Sequence, residues 1–220
     1  MKRFVVFDLD GTLLNTIPDI AGAMNRALKR HGLPQHPNDS YKLFTGNGAK
    51  VLTQRAVGDR TDMWQAVYQD YAQDYAAHSR VDTAPYDGIP QALAELKRMG
   101  VHALVYSNKD DADTKDVIRH YFPGYEFLAV LGARAGIPLK PDPTALDALM
   151  ALHGLKAHNG LYVGDTVMDM RCAHAVGLYA VAVTWGFQTR DMLRAEHPNS
   201  MINHPDELVA LVRERLIKHA

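Results

Sequence analysis

Asp8 and Asp10 close a short apolar run, Phe4-Val5-Val6-Phe7, and are followed at once by Gly11 and Thr12. Four apolar residues in succession, rich in Val and Phe, fit a strand buried on both faces, and alternate positions at its end point the same way. The two carboxylates therefore share one small space. At the mouth of a parallel sheet they cannot both stay ionised without a cation beside them, and Mg²⁺ is the natural companion. The crevice outside strand carboxyl ends is also where open α/β sheets take their ligands. An EF-hand loop is a poor reading of Asp-Leu-Asp-Gly, because glycine comes fourth rather than sixth. A plain Asp-Gly surface turn stays open on this motif alone.

Further segments carry matching chemistry. In Tyr106-Ser107-Asn108-Lys109, the Ser107 hydroxyl and the Asn108 amide can donate hydrogen bonds to phosphoryl oxygens without adding charge. Ser-Asn is equally a helix-cap pair, with Asp110 and Asp111 as competing caps. In Pro138-Leu139-Lys140-Pro141-Asp142-Pro143, Asp142 as N-cap and Pro143 at the first helical position account for the Asp-Pro pair. Capping does not account for Lys140, which sits between prolines just before a helix and is placed to offset negative charge. In Gly164-Asp165-Thr166-Val167-Met168-Asp169 a strand ends and a helix follows. Asp165 and Asp169 then lie near one face of the first turn, close to the positive end of the helix dipole. A cap would use one of these carboxylates, whereas a metal-facing pair uses both.

The elements that must position these residues alternate. Strand-like stretches at 4–7, 101–107, 161–164 and 179–184, with a shorter one at 128–130, are separated by helical patterns at 89–99, 111–121, 143–153, 167–176 and 205–218. Alternation of this kind predicts crossover connections and a doubly wound, Rossmann-like parallel sheet with helices on both faces. The interval 15–85 breaks the rhythm, with helical stretches at 18–31, 48–57 and 61–78 and no convincing strand. It is expected to be an inserted helical cap, leaving 1–14 and 86–220 as the α/β core, and Pro85, Gly88 and Pro90 punctuate the return. Two linkers side by side make a hinge.

Composition narrows the function classes. With 220 residues, 47% of them hydrophobic, the chain can bury a substantial core, and a formal charge of −1 offers no basic surface for nucleic acid. The longest nearly uncharged apolar stretch, 177–187, falls far short of the roughly 20 residues of a membrane span. The apolar run before Asp8 is too short for a secretory leader. The single cysteine, Cys172, excludes an internal disulfide and suits a cytoplasmic setting. The expected partner is a small phosphorylated metabolite, with neither nucleic acid nor membrane, and monomer and homodimer both remain open.

The order Asp-x-Asp, Ser-Asn, Lys, Gly-Asp-x-x-x-Asp, each at the carboxyl end of a strand, resembles the haloacid dehalogenase superfamily over essentially the whole chain. The resemblance implies that Asp8 is a nucleophile, Asp10 a general acid and base, Ser107 and Lys140 groups that handle the phosphoryl oxygens, and Asp165 with Asp169 an acidic metal motif. It also implies that the backbone carbonyl of Asp10 joins Asp8 in binding Mg²⁺, and that 15–85 is an α-helical cap. Phe44-Thr45-Gly46-Asn47-Gly48-Ala49, Ser107-Asn108-Lys109, Lys140-Pro141-Asp142-Pro143 and Trp185-Gly186-Phe187 are similar to segments of the phosphoglycolate phosphatases. Asn15-Thr16 and Ala133 depart from the usual Asp-Ser and acidic residue at those places.

That likeness implies a Mg²⁺-dependent phosphomonoester hydrolase working through an aspartyl phosphate. Gly11, Thr12 and Asn108 are expected to bind the phosphoryl group. Asn47 is expected to read the leaving group from the cap, with Lys42 and Lys50 as neighbouring cations. Lys140-Pro141 is a candidate cis peptide. Nucleoside monophosphates and pyrophosphate are the competing substrates. A phosphomutase would keep every motif, a dehalogenase has no need of Asp10, and a phosphate-binding protein without activity would be expected to have lost a charged residue.

Overall fold

The computed structural model of the chain describes residues 2–217. In chain order its strands are β1 (Phe4–Phe7), β2 (Leu14–Asn15), β3 (Ala84–Pro85), β4 (His102–Asp110), β5 (Ala129–Ala133), β6 (Gly160–Gly164), β7 (Tyr179–Val183) and β8 (Ser200–Ile202). Its helices are α1 (Ile17–Arg30), α2 (Asn38–Phe44), α3 (Ala49–Val57), α4 (Trp64–His78), α5 (Ile89–Arg98), α6 (Asp111–Tyr121), α7 (Thr144–His153), α8 (Val167–Ala175), α9 (Arg190–Ala195) and α10 (Pro205–Val212). A π-helical turn, Arg213–Ile217, extends α10. Position 218 of the helix expected there lies outside the described residues.

Six strands form one sheet in the order β5-β4-β1-β6-β7-β8, with parallel pairing throughout. β1 lies centrally, with Phe4 in register with His102 on one side and Gly160 on the other. Its alternate side chains feed opposite layers. Val5 and Phe7 pack with Val105, Val163 and Val181 against α5, α6 and α10, while Phe4 and Val6 pack with Leu104, Tyr162 and Ala180 against α7, α8 and α9. Burial on both faces explains why these strands read as continuous apolar runs rather than alternating ones.

Between β2 and β3 the chain builds a separate helical layer. Ile17, Ile20, Ala21, Met24, Ala27 and Leu28 recur at helical spacing on α1 and pack with Tyr41, Leu52, Val67, Tyr71 and Tyr75. The chain leaves and re-enters the α/β core through a two-stranded antiparallel ribbon, Leu14 opposite Pro85 and Asn15 opposite Ala84. Asp19 secures the return by accepting the N–H groups of Val81, Asp82 and Thr83 at 2.9–3.0 Å.

Several elements differ from the sequence expectation. α2, α9 and β8 have no counterpart in it, and β2 and β3, paired antiparallel at the ends of the 15–85 interval, correct the expectation that it holds no strand; each of these elements is short. Helix α7 starts at Thr144 with Pro143 in the cap position, one residue later than expected, and Asp142 accepts the Thr144 N–H at 2.9 Å. Strand β4 runs on to Asp110, through a register shift between Tyr106 and Asp110.

Candidate active site

Each motif ends at the same edge of the sheet. The N–H of Asp8 continues the ladder by donating to Val163 O at 2.9 Å, so the Asp8 carboxyl emerges where β1 stops. Asp8, Lys140, Asp165 and Asp169 are all buried there. The Lys140 ammonium donates to Asp8 Oδ1 and Asp169 Oδ1, each at 2.7 Å, and to Tyr106 O at 3.1 Å. Burial opposes a charge on Lys140, but Asp169 and Asp8 override it and hold the ammonium well above its ordinary pKa. The Lys140-Pro141 bond is cis, as expected.

The acidic side of the cluster carries more charge than Lys140 neutralises. Asp8, Asp165 and Asp169 each offer an oxygen, and these atoms lie within 4.8 Å of one another. Burial, then the neighbouring Asp169, push the Asp8 carboxyl up to about 7 against the pull of Lys140. Asp165 is also raised well above the carboxylate range, by burial and then by Asp8 and Asp169, despite the donors from Phe187 and Thr12. Three buried carboxyls this close together, with the pKa values of Asp8 and Asp165 driven upwards, suit a hard divalent cation. The donor set therefore fits the ion.

Within that set the acids differ. Asp169 accepts four hydrogen bonds, from Lys140 and Tyr162 at one oxygen and from the Thr166 N–H and hydroxyl at the other. Those bonds occupy what a carboxylate can accept. Thr166 and Asp169 also form the capping box of α8, so the cap reading and the cluster reading hold together. Asp165 accepts from Thr12 Oγ1 and from the Phe187 N–H, both at 2.8 Å. A Cβ at Gly11 or at Gly186 would stand 2.2 Å from an Asp165 atom. These glycines exist so that backbone can close on that carboxyl.

Several expected phosphate contacts are therefore spent elsewhere. The Gly11 N–H donates to Leu14 O and the Thr12 N–H to Leu9 O, and the Thr12 hydroxyl holds Asp165. Asn108 likewise faces protein: its amide donates to Gly46 O at 2.9 Å and to Lys140 O at 3.1 Å, and accepts from the Lys140 N–H at 2.8 Å. It orients Lys140 and ties the 46–48 turn to the core. Ser107 is buried, lines the cavity, and accepts the Lys109 N–H at 3.2 Å.

Above the acids lies a cavity of about 250 Å³, walled by Asp8, Asp10, Ser107 and Lys140 from the core and by Thr45, Tyr71 and Tyr75 from the helical layer. Gly46 and Gly48 reach it, but Asn47 is not among its lining residues and accepts from Arg55 instead, at 2.9 Å. Lys42 pairs with Asp39 at 2.8 Å and Lys50 is exposed. The cation that does reach the cavity is Lys109, whose ammonium donates to both Asp10 oxygens at 3.1 and 3.2 Å and lies 4.5 Å from the Tyr75 ring centre. Burial works against its charge, and Asp10 more than restores it, raising the pKa. Lys109 shares strand parity with Ser107, and Tyr68, Tyr71 and Tyr75 recur at helical spacing on α4. Lys109 belongs to an expected motif, but neither it nor the tyrosines carry a role in the expectations.

A buried carboxyl beside a lysine, a second carboxyl two residues on in the cavity wall, and a cluster of three acids stand together at the parallel strand ends of an α/β fold. The chain belongs to the haloacid dehalogenase-like hydrolase family, whose model matches residues 5–183. It is 31% identical over 228 residues to a phosphoglycolate phosphatase of Mesorhizobium japonicum, covering 100% of this chain and 98% of that protein. To a phosphoglycolate phosphatase of Pseudomonas putida it is 32% identical over 218 residues, covering 96% and 79%. A solved structure from Haemophilus somnus, described as a predicted phosphoglycolate phosphatase, superposes with a TM-score of 0.89 at 27% identity, covering 96% of this chain and 97% of that one. Among the described residues no helix is long and apolar enough to cross a membrane.

Proposed function

We propose that the chain is a Mg²⁺-dependent phosphomonoester hydrolase that acts through a phosphorylated Asp8, with phosphoglycolate as its substrate. One observation carries the reading: the Lys140 ammonium lies 2.7 Å from both Asp8 and Asp169, while Asp10 stands at the mouth of the same cavity. Asp8 attacks phosphorus in line with the ester bond. Asp10 protonates the departing alkoxide and later takes a proton from the water that hydrolyses the aspartyl phosphate. Lys140 and the Ser107 hydroxyl receive the phosphoryl oxygens, and Asn108 and Asp169 keep Lys140 aimed. Asp8, Asp165 and the Asp10 carbonyl would hold the ion, with Asp169 contributing its charge. Mg²⁺ neutralises phosphoryl charge that this acidic cluster would otherwise repel.

The cavity favours a small ester. Its volume of about 250 Å³ falls below the roughly 300–1,000 Å³ of common ligand pockets, and similarity to named phosphoglycolate phosphatases supports the same choice. The test is a panel of phosphate esters at equal concentration with Mg²⁺, including pyrophosphate and nucleoside monophosphates. Phosphoglycolate should show the highest kcat/KM. A nucleotide or pyrophosphate in first place would overturn the substrate assignment.

A further inference from the structure

The end of the cavity facing the helical layer holds a cation that phosphate handling does not use. Lys140 is committed to Asp8 and Asp169. Lys109, with its side chain 6% exposed, sits between Asp10 and the Tyr75 ring. Tyr75 comes from α4, is 2% exposed, lines the same cavity, and its hydroxyl has no hydrogen-bond partner. Stacking on Tyr71, with ring centres 5.7 Å apart, fixes the ring in place.

We propose that Lys109, held beside the Tyr75 ring, receives a carboxylate on the leaving group, and that this lysine selects the substrate. The inference rests on the phosphoglycolate reading above and names the residue that would enforce it. Proton transfer requires the ester oxygen to lie against Asp10. A carboxylate joined to that oxygen through one methylene then falls within reach of an ammonium already hydrogen-bonded to Asp10. Lysine offers three donors on a flexible stem, so it can meet the substrate while keeping an Asp10 contact. Asp110 and Asp113 also line this end and would repel an anion. Lys109 is the one lysine or arginine on this side of the cavity wall, since the wall's other such residue is Lys140. An ester with a neutral leaving group would offer Lys109 no charge to pair with, the situation in which polar sites discriminate most strongly.

The experiment compares kcat/KM for phosphoglycolate and for 2-hydroxyethyl phosphate, which replaces the carboxylate by a neutral group of similar length, in wild type, Lys109→Met and Tyr75→Phe. Wild type should prefer phosphoglycolate by about 10²-fold or more. Lys109→Met should erase most of that preference, and Tyr75→Phe, which keeps the ring beside the ammonium and removes only an oxygen sealed from the cavity, should retain it. Preference kept at the wild-type ratio in Lys109→Met, or lost as fully in Tyr75→Phe, would overturn the inference while leaving the substrate reading intact. A wild type that cleaves both esters equally would overturn the substrate reading, and the inference with it.

Discussion

Gly186→Ala is the most informative single substitution in the cation seat. Gly186 has no positive φ, so alanine meets no backbone penalty there, yet its Cβ would stand 2.2 Å from Asp165 Cβ and 2.4 Å from Oδ2. Asp165 Cβ is fixed to its backbone, so the 185–187 segment must retreat, and the 2.8 Å bond from the Phe187 N–H to Asp165 breaks. Overpacking costs about 1–3 kcal/mol, and losing a hydrogen bond to a charged group adds about 1.5–3 kcal/mol. A loss of about 3 kcal/mol in all lowers Tm by about 6–12 °C for a chain of this size. Mg²⁺ affinity should fall about 10- to 100-fold, as it does when the partners of metal-binding groups are disturbed. Gly11→Ala, which also clashes with Asp165 and has φ +88°, should be worse by about 1 kcal/mol of backbone strain. Gly100→Ala is the control: its φ is +68° with nothing within 4 Å, so it should cost that strain alone and spare the ion. Thermal denaturation in chelator and calorimetric Mg²⁺ titration read both quantities. Gly186→Ala with unchanged Tm and unchanged Mg²⁺ affinity would refute the reasoning.

Asp8→Asn should abolish turnover with the fold intact, and Asp10→Asn should lose about 10²- to 10⁴-fold in kcat; steady-state assays and circular dichroism decide. Asn108→Ala frees both the 46–48 turn and the Lys140 backbone, and should lower kcat about 10-fold with substrates of any leaving group; an unchanged kcat would remove its positioning role. In chelator, stability should fall as pH rises from about 5 to 8, because Asp8, with its pKa near 7, and Asp165 bind protons more tightly folded than unfolded. Asp74 and Asp111, whose pKa values are lowered, lose their contribution only at more acidic pH. Saturating Mg²⁺ should therefore raise Tm more at pH 8 than at pH 5, and a pH-independent increment would mean that the ion sits elsewhere.

Much of the core was legible because its signals are local. β1, with its four buried residues, announces itself as an apolar run, and the motifs at strand ends carry residue types that capping alone does not explain. The roles of Thr12 and Asn108 were not legible, since their partners, Asp165 and the Gly46 and Lys140 backbone, are remote in sequence. A hydroxyl or amide in a motif reads as a ligand contact until its actual acceptor is known. Asn47 shows the converse, a motif residue drawn away by Arg55 eight positions on. Lys109 stands in an expected motif without a role there, because most lysines are solvated, and the Tyr75 ring from α4 beside its ammonium helps make it a site residue. The missing α2, α9 and β8 are too short for periodicity to register.

The central claim, that Asp8 carries the phosphoryl group, is tested most directly by trapping. The enzyme is mixed with phosphoglycolate and Mg²⁺, quenched in the steady state with borohydride, which reduces an acyl phosphate to an alcohol, and digested for mass spectrometry. The account predicts reduction of Asp8 to homoserine in the peptide spanning 4–14, dependent on substrate and absent from Asp8→Asn. Active turnover with Asp8 unmodified, or the label at another carboxylate, would contradict it.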